Sequence, residues 1–327
     1  MQRRTFILAA TAAAAGALAA APAMSFAKDW PSQPLKLVVG YPGGSTPDMV
    51  ARTLSAPLSK ALGVPVIVEN KPGASGNIAA EYVARATDSH TLGIVINGNL
   101  TSSPMLYANL PYDPAKDFSY LSLLTTAPLV LVAPASEPSG AAFFEKARKE
   151  GDKWNYGTVG VGSVSHLGME LLKADIHGLD PLQIPYNGGS PAVITAMIGG
   201  QVQMALMSPG TALPQVKAGK LKAIGVTSDH ESDIAPGIPP IEKVANIKDF
   251  NLEVWTALVG PASLPQADQK RVTDIVNTAL KDPDIQKKLL IQGWQAVGTT
   301  PQEMRTRVEK ETKILGAIIK SQHIRLQ

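Results

Sequence analysis

The sequence predicts an α/β protein in two lobes, each built on a largely parallel sheet, and three observations carry that prediction. Short β-branched runs alternate with capped helical segments along the chain. The 327 residues exceed the roughly 100–200 of a usual single domain. The 28 glycines and 26 prolines supply the many turns that such alternation needs.

The elements follow in order. Arg3 and Arg4 precede an alanine-rich apolar run, and Ser25-Phe26-Ala27 ends it with small residues, so 1–27 reads as a signal segment cleaved after Ala27. The paired arginines fit a twin-arginine signal. Leu35–Val39 is an apolar strand, followed by the loop Tyr41-Pro42-Gly43-Gly44-Ser45. Thr46 is the expected N-cap of a helix that has Pro47 in its first turn and Val50, Leu54, Leu58 and Leu62 on one face; Pro57 predicts a kink or an early end. A strand at 64–68, a helix at 77–86, a strand at Thr91–Ile96, a polar loop at 97–101 and a short helix from Ser103-Pro104 continue the alternation. A strand at 129–132 leads through 134–140 into the second lobe.

There the same unit returns. Asn155-Tyr156-Gly157 leads to Gly160-Val161-Gly162-Ser163 and a helix capped by Ser163; Pro185-Tyr186 leads to Asn187-Gly188-Gly189 and a helix from Ser190-Pro191. Strands at 203–207, ending at Ser208-Pro209, and at Leu221–Val226 complete this part. A strand at 254–259 and three helices close the chain, from about Pro265, from Asp282-Pro283 and from the capping box Thr300-Pro301-Gln302-Glu303. Val308, Ile314 and Ile318 form the expected packing face of the last. Trp154, Trp255 and Trp294 read as packing residues; His90, His177, His230 and His323 read as surface residues.

Composition narrows the function. Losing Arg3 and Arg4 lowers 30 basic side chains to 28 against 27 acidic ones, a balance that argues against nucleic acid or an anionic membrane as partner. The chain has no cysteine, which excludes disulfides, thiolate metal sites and a cysteine-linked lipid anchor. No cofactor or metal is expected. Three loops, 43–46, 160–163 and 188–190, are rich in Gly, Ser and Thr, and each opens a helix. At the carboxyl ends of parallel strands such loops present unpaired N–H groups and the positive helix end, which favour an anion such as a carboxylate without a formal positive charge. Well-capped helices with no ligand show the same pattern singly; its repetition in both halves is what points to a cleft. Ser163-Val164-Ser165-His166 invites a hydrolase or lyase reading, yet neighbours at a helix start do not face each other, and no nucleophile-elbow, phosphate-loop, dinucleotide or zinc-protease motif occurs.

The residues also resemble a known family, the Bug-type solute receptors of tripartite tricarboxylate transporters. The resemblance runs from Trp30-Pro31 to the last helix. It is carried by Tyr41-Pro42-Gly43-Gly44 through Asp48 with Ala51-Arg52, Val68-Glu69-Asn70-Lys71-Pro72-Gly73-Ala74 with Gly76-Asn77, and Leu110-Pro111-Tyr112-Asp113-Pro114 with Lys116-Asp117-Phe118. Ser163, Ser165-His166-Leu167, Pro185-Tyr186, Gly199-Gly200-Gln201-Val202 and Lys217-Ala218-Gly219-Lys220-Leu221 extend it. It implies a type II-like Venus-flytrap periplasmic binding fold with two strands crossing between the lobes. Lobe one would comprise 28–127 and 253–327, lobe two 128–252. The implied lining is Tyr41, Gly44, Ser45, Asp48, Asn99, Thr101, Gly162, Ser163, His166, Tyr186, Gly189, Ser190 and Ser208.

Two departures bear on the ligand. Pro47 stands where the family usually has Thr, and Ser208 where many members carry Asp. Without that acid, an amino-acid ammonium has no partner, so a plain small carboxylate is expected. The implied role is passive capture by a monomer in the periplasm for a membrane permease, with signalling to a membrane sensor as the alternative and catalysis through His166 as a more distant one.

Overall fold

Four of the five side chains in β1 (Leu35–Val39) are buried, Lys36 alone being partly exposed. A run that is apolar except at Lys36 is what a strand covered on nearly all of both faces needs. The computed structural model describes residues 30–186, 189–248 and 250–324; the expected signal segment and residues 187 and 188 of the third loop lie outside them. Among the described residues, those from Gln33 onward form one unit by their contacts.

After β1 come α1 (Thr46–Leu62), β2 (Val66–Asn70), α2 (Asn77–Ala84), β3 (Thr91–Ile96), the single turns α3 (Asn97–Leu100) and α4 (Ser103–Leu106), and β4 (Phe118–Pro128). The middle of the chain makes β5 (Val130–Pro134), α5 (Ala141–Glu150), β6 (Asn155–Thr158), α6 (Val164–Asp175), β7 (Leu182–Pro185), α7 (Gly189–Ile198), β8 (Ala205–Met207), α8 (Pro209–Lys217), β9 (Leu221–Val226) and α9 (Ile241–Ala245). The end returns as β10 (Glu253–Pro261), α10 (Gln266–Leu280), α11 (Pro283–Ile291), β11 (Gln295–Ala296) and α12 (Pro301–Ser321).

The first and last segments share a six-stranded sheet in the order β11-β4-β10-β3-β1-β2; the middle segment makes a three-stranded sheet, β8-β5-β9, and the pair β6-β7, which a lone bridge from Tyr156 to Met204 ties to β8. The result is a two-lobed α/β fold. Parallel pairing, expected for most of each sheet, holds for β1 with β2 and β3 and for β6 with β7. The pairs β10-β3, β10-β4, β11-β4, β5-β8 and β5-β9 are antiparallel.

Each half has its own core. Val38, Val83, Val95, Tyr112, Phe118, Trp255 and Met304 belong to one cluster; Val130, Val193, Met197, Val202 and Met207 belong to another. Complete burial of such side chains contributes about 1.5–3 kcal/mol each. The two crossings are stitched by Thr227, whose Oγ1 accepts from Leu129 N at 2.7 Å and donates to Leu252 O at 2.5 Å. On the larger-sheet side, the buried Glu311 of α12 accepts from Trp255 Nε1 of β10 and Asn97 Nδ2 of α3, both at 2.6 Å. Burial raises the pKa of this carboxyl against the lowering effect of those donors.

Several local expectations are corrected. Ser45 precedes the first helical residue and is the N-cap, so Thr46 and Pro47 are the first two residues of α1. That helix passes Pro57 and stops at Gly63, whose φ of 73° is the left-handed stop glycine permits. Residues 97–100 are a helical turn. His90 is buried, at 8% exposure, with its ring Nδ1 3.2 Å from Gln33 Nε2 and its backbone N–H donating to Asp88 Oδ1. Ile314 is 49% exposed, and α12 packs instead through Met304, Val308, Leu315, Ile318 and Ile319.

Candidate ligand site

The loop after β1 is braced from within. Asp48, in the first turn of α1, is 1% exposed. Its Oδ2 accepts from Gly44 N at 2.8 Å and Arg52 Nε at 2.9 Å, and its Oδ1 accepts from Asn70 Nδ2 at 2.9 Å. The same Nδ2 reaches Tyr41 O. Burial alone would raise this carboxyl's pKa, but the donors from Arg52, Gly44 and Asn70 outweigh it and hold the group below its ordinary value. Asp48 therefore shapes the loop with a carboxylate already engaged by the protein. Gly44, with φ of 80°, stays exposed. Ser45 Oγ is buried and makes no side-chain cap bond or other hydrogen bond.

Behind this loop lies a segment that sequence reasoning did not single out for function. Gly73, Ala74, Ser75 and Gly76 all have positive φ, at 138°, 46°, 54° and 90°, a conformation costly for Ala and Ser. Contacts compel it. Ser75 O accepts from Tyr41 Oη at 2.8 Å and Asn99 Nδ2 at 3.0 Å, and a side chain on Gly76 would meet the Tyr41 ring at 3.0 Å. Asn99 also donates to Asn77 Oδ1 at 2.8 Å, and Thr101 Oγ1 donates to Asn97 O at 2.8 Å. These two residues are 1% and 0% exposed. Tyr41, Asn99 and Thr101 thus make their side-chain bonds within the framework. The signal available in the sequence was the pair of glycines flanking Ala74-Ser75.

The second loop approaches from the other half. Ser163 caps α6 by accepting from His166 N at 3.3 Å, donates to Gly160 O at 2.7 Å and lies 3.0 Å from Ser165 Oγ. His166 Nδ1 accepts from Gly162 N at 3.0 Å, which places the ring proton on Nε2. Burial, with a further contribution from Lys173 and opposed by Glu170, lowers the pKa of His166 to about 4, so the ring is neutral at pH 7. It stacks on Tyr156, with centroids 6.4 Å apart and planes 13° from parallel. Tyr156 donates to Glu170 Oε1 at 2.5 Å; burial and that carboxylate raise the phenol's pKa. Since Ser163 donates to Gly160 and His166 takes the Gly162 N–H, the two side chains are not linked as nucleophile and base.

The two loops meet. Ser102 Oγ donates to Gly162 O at 3.3 Å, and a side chain on Gly160 would lie 3.5 Å from Ser75 Oγ. The other expected residues sit on the same half as Gly162: Tyr186 packs on the second core, Gly189 donates to Tyr186 O at 3.1 Å, Ser190 is partly exposed in the first turn of α7, and Ser208 is the N-cap of α8. Two surface concavities, of about 500 and 320 Å³, are lined by Lys71, Tyr82 and Arg85 and by Phe144, Arg148 and Asp175 among others. None of the thirteen expected site residues lines either one. Among the described residues, no group of His, Asp and Glu is placed to hold a metal ion, and no helix is long and apolar enough to cross a membrane.

Two sheets stitched by crossing segments, with the Gly- and Ser-rich start of α6 lying against Ser75 and Ser102 of the other half, fit a solute-binding protein of the periplasmic kind. The chain belongs to the tripartite tricarboxylate transporter family receptors, whose pattern matches residues 50–324. A UPF0065 protein of Agrobacterium vitis is 33% identical over 288 residues, 87% of this chain and 81% of the relative. The periplasmic binding protein BugD superposes with a TM-score of 0.81 at 26% identity, covering 91% of this chain and all of that one. A Rhodopseudomonas palustris protein solved with adipate gives 0.83 at 29%, with 91% and 100% covered, and MatC from the same organism, with bound malate, gives 0.79 at 28%, with 89% and 100% covered.

Proposed function

We propose that the protein captures a small carboxylate between the loop 43–46 and the helix starts at Ser163, Ser190 and Ser208, and delivers it to a tripartite tricarboxylate-type membrane permease. The observation that carries this reading is the approach of Gly160–Ser163 to Ser75 and Ser102 across the two halves. It brings the N-terminus of a twelve-residue helix, with its outward N–H groups, to the boundary between the sheets. The adipate and malate seen in relatives are ligands of the same chemistry. Lobes of 28–127 plus 253–327 and of 128–252, a signal segment cleaved after Ala27, a monomeric state, a periplasmic location and a binding rather than catalytic role belong to this reading. Ser45, Ser163, His166, Tyr186, Ser190 and Ser208 are its direct ligand groups; Tyr41, Asp48, Asn99 and Thr101 hold the framework, as do Gly44, Gly162 and Gly189, whose N–H groups are taken by Asp48, His166 and Tyr186 O. The site requires no arginine clamp, which suits a ligand that must be released.

A thermal-shift and calorimetric screen of residues 28–327 against mono-, di- and tricarboxylates and their amides tests it. A ligand that binds only the folded state raises the melting temperature by mass action. Carboxylates are expected to raise it and the matching amides to leave it unchanged; equal shifts from acid and amide would overturn the carboxylate assignment.

A further inference from the structure

Beside the loop contact just described, the two halves touch at a second place, and there backbone meets backbone. Gly210 is the second residue of α8, and Gly293 follows α11. A methyl on Gly210 would lie 2.2 Å from Gln292 O; one on Gly293 would lie 2.3 Å from Gly210 N and 2.9 Å from its Cα. Distances below 3.0 Å cannot be absorbed by side-chain rotation, because the atoms concerned are main chain on both sides. The first contact is softer: a methyl on Gly162 would meet only the tip of Leu106, at 2.4 Å.

The position of the glycine contact gives it leverage. Gly210 comes three residues after Met207, which pairs with Val130 where β5 begins. Gly293 comes two residues before Gln295, which pairs with Thr126 near the end of β4. The contact therefore lies beside the β4-to-β5 crossing, where the chain passes from one sheet to the other. On the larger-sheet side it is also anchored: Gln292 Nε2 donates to Thr53 Oγ1 of α1 at 3.0 Å, and Trp294 is buried at 1% exposure.

We infer that Gly210 and Gly293 are positioning residues that set the angle between the two sheets, and through it the width of the ligand cleft, without touching the ligand. Gly210 adopts an ordinary helical conformation, so alanine there has no intrinsic backbone cost and is the better helix former. Its effect is confined to the contact, where an added methyl must push the halves apart by about 1 Å to reach an ordinary separation. Ser208, two residues earlier, moves with it.

The affinity part of the test rests on the carboxylate reading above; the distance part does not. The chain lacks cysteine, so Lys60→Cys in α1 and Lys220→Cys before β9, both exposed, carry spin labels at two unique points. In the absence of ligand, Gly210→Ala is expected to lengthen or broaden the label-to-label distance while melting within a few degrees of the parent. The same substitution is expected to weaken adipate or malate binding about tenfold or more. Coincident distance distributions in the parent and Gly210→Ala would overturn the proposal, as would a shifted distance with unchanged affinity. Gly293→Ala is the reciprocal variant for the distance, but Gly293 has φ of 84°, so alanine there adds backbone strain to the contact and is expected to lower the melting temperature further than Gly210→Ala does. If both variants lose cooperative unfolding, the contact belongs to the folding core, and its role in setting the angle falls. If the parent binds neither acid, the carboxylate reading fails, and the distances alone decide.

Discussion

The loop 43–46 and the loop 160–163 look alike in sequence, yet they are held by opposite means. The first is braced by a charged carboxylate, Asp48, that gathers Gly44, Arg52 and Asn70. The second is braced by a neutral ring, His166, that takes the Gly162 N–H and stacks on Tyr156. Similar Gly/Ser composition specifies only that a loop can bring its backbone close to a ligand. What fixes its shape is a titratable group one turn into the following helix, and the two groups lose their function in opposite charge states.

The largest effect is expected from Asp48→Ala. It removes the shared acceptor of three donors and should destabilise the protein by about 3 kcal/mol, read by urea unfolding at pH 7. Asp48→Asn, which keeps an acceptor but not the charge, should lie between the variant and the parent; an Asn variant as damaged as Ala would show that charge alone braces the loop.

His166→Asn comes next, at about 2 kcal/mol at pH 7 from lost packing and burial. Its sharper signature is in acid. The ring's pKa is about 4 in the folded protein against an ordinary 6.5, so the unfolded chain binds the proton first. The stabilisation from a neutral ring is fully present above pH 6.5 and is lost as pH falls from 6.5 to 4. The parent should therefore lose stability across that window by up to about 3 kcal/mol, and His166→Asn should flatten that limb. A limb unchanged by the substitution would assign the acid sensitivity to other groups.

Ser163→Ala removes the side-chain cap of α6 and should cost about 1 kcal/mol, measurable as a lower urea midpoint at constant slope. Arg52→Ala should have the smallest effect, because its guanidinium sits in solvent and Asp48 keeps the Gly44 and Asn70 donors. A melting temperature near the parent's, falling less than that of Ser163→Ala, would support the ranking.

Local signals in the sequence carried a good part of this structure. The strands at Leu35–Val39, Thr91–Ile96 and Leu221–Val226 and the caps at Ser163, Asp282 and Thr300 depend on neighbours within a few residues, and the side-chain cap bonds at all three are present. β4 was not foreseen. Its residues Phe118–Pro128 stand between β10 and β11, and a strand stabilised by partners more than a hundred residues away has little of its own to read. α5 and α8 also escaped notice, the latter because Pro214 inside it resembles a terminator. In the site, the helix starts were legible from Gly, Ser and Pro spacing. The inward turn of the Asp48 carboxylate and the strained Gly73–Gly76 segment were not, since both depend on Asn70, Tyr41 and Asn99 arriving from other elements.

The strained segment has a consequence for how such a receptor can be altered. Ser75 and Gly76 keep their shape only while Tyr41 and Asn99 surround them, so those residues form a scaffold whose replacement would alter the shape of the pocket's rim. Leu106, by contrast, reaches Gly162 with a flexible side chain. Under the carboxylate reading proposed above, a library that diversifies Leu106 and Tyr186 while leaving Tyr41, Asp48, Asn70 and Asn99 intact would change what the cleft accepts and keep its frame.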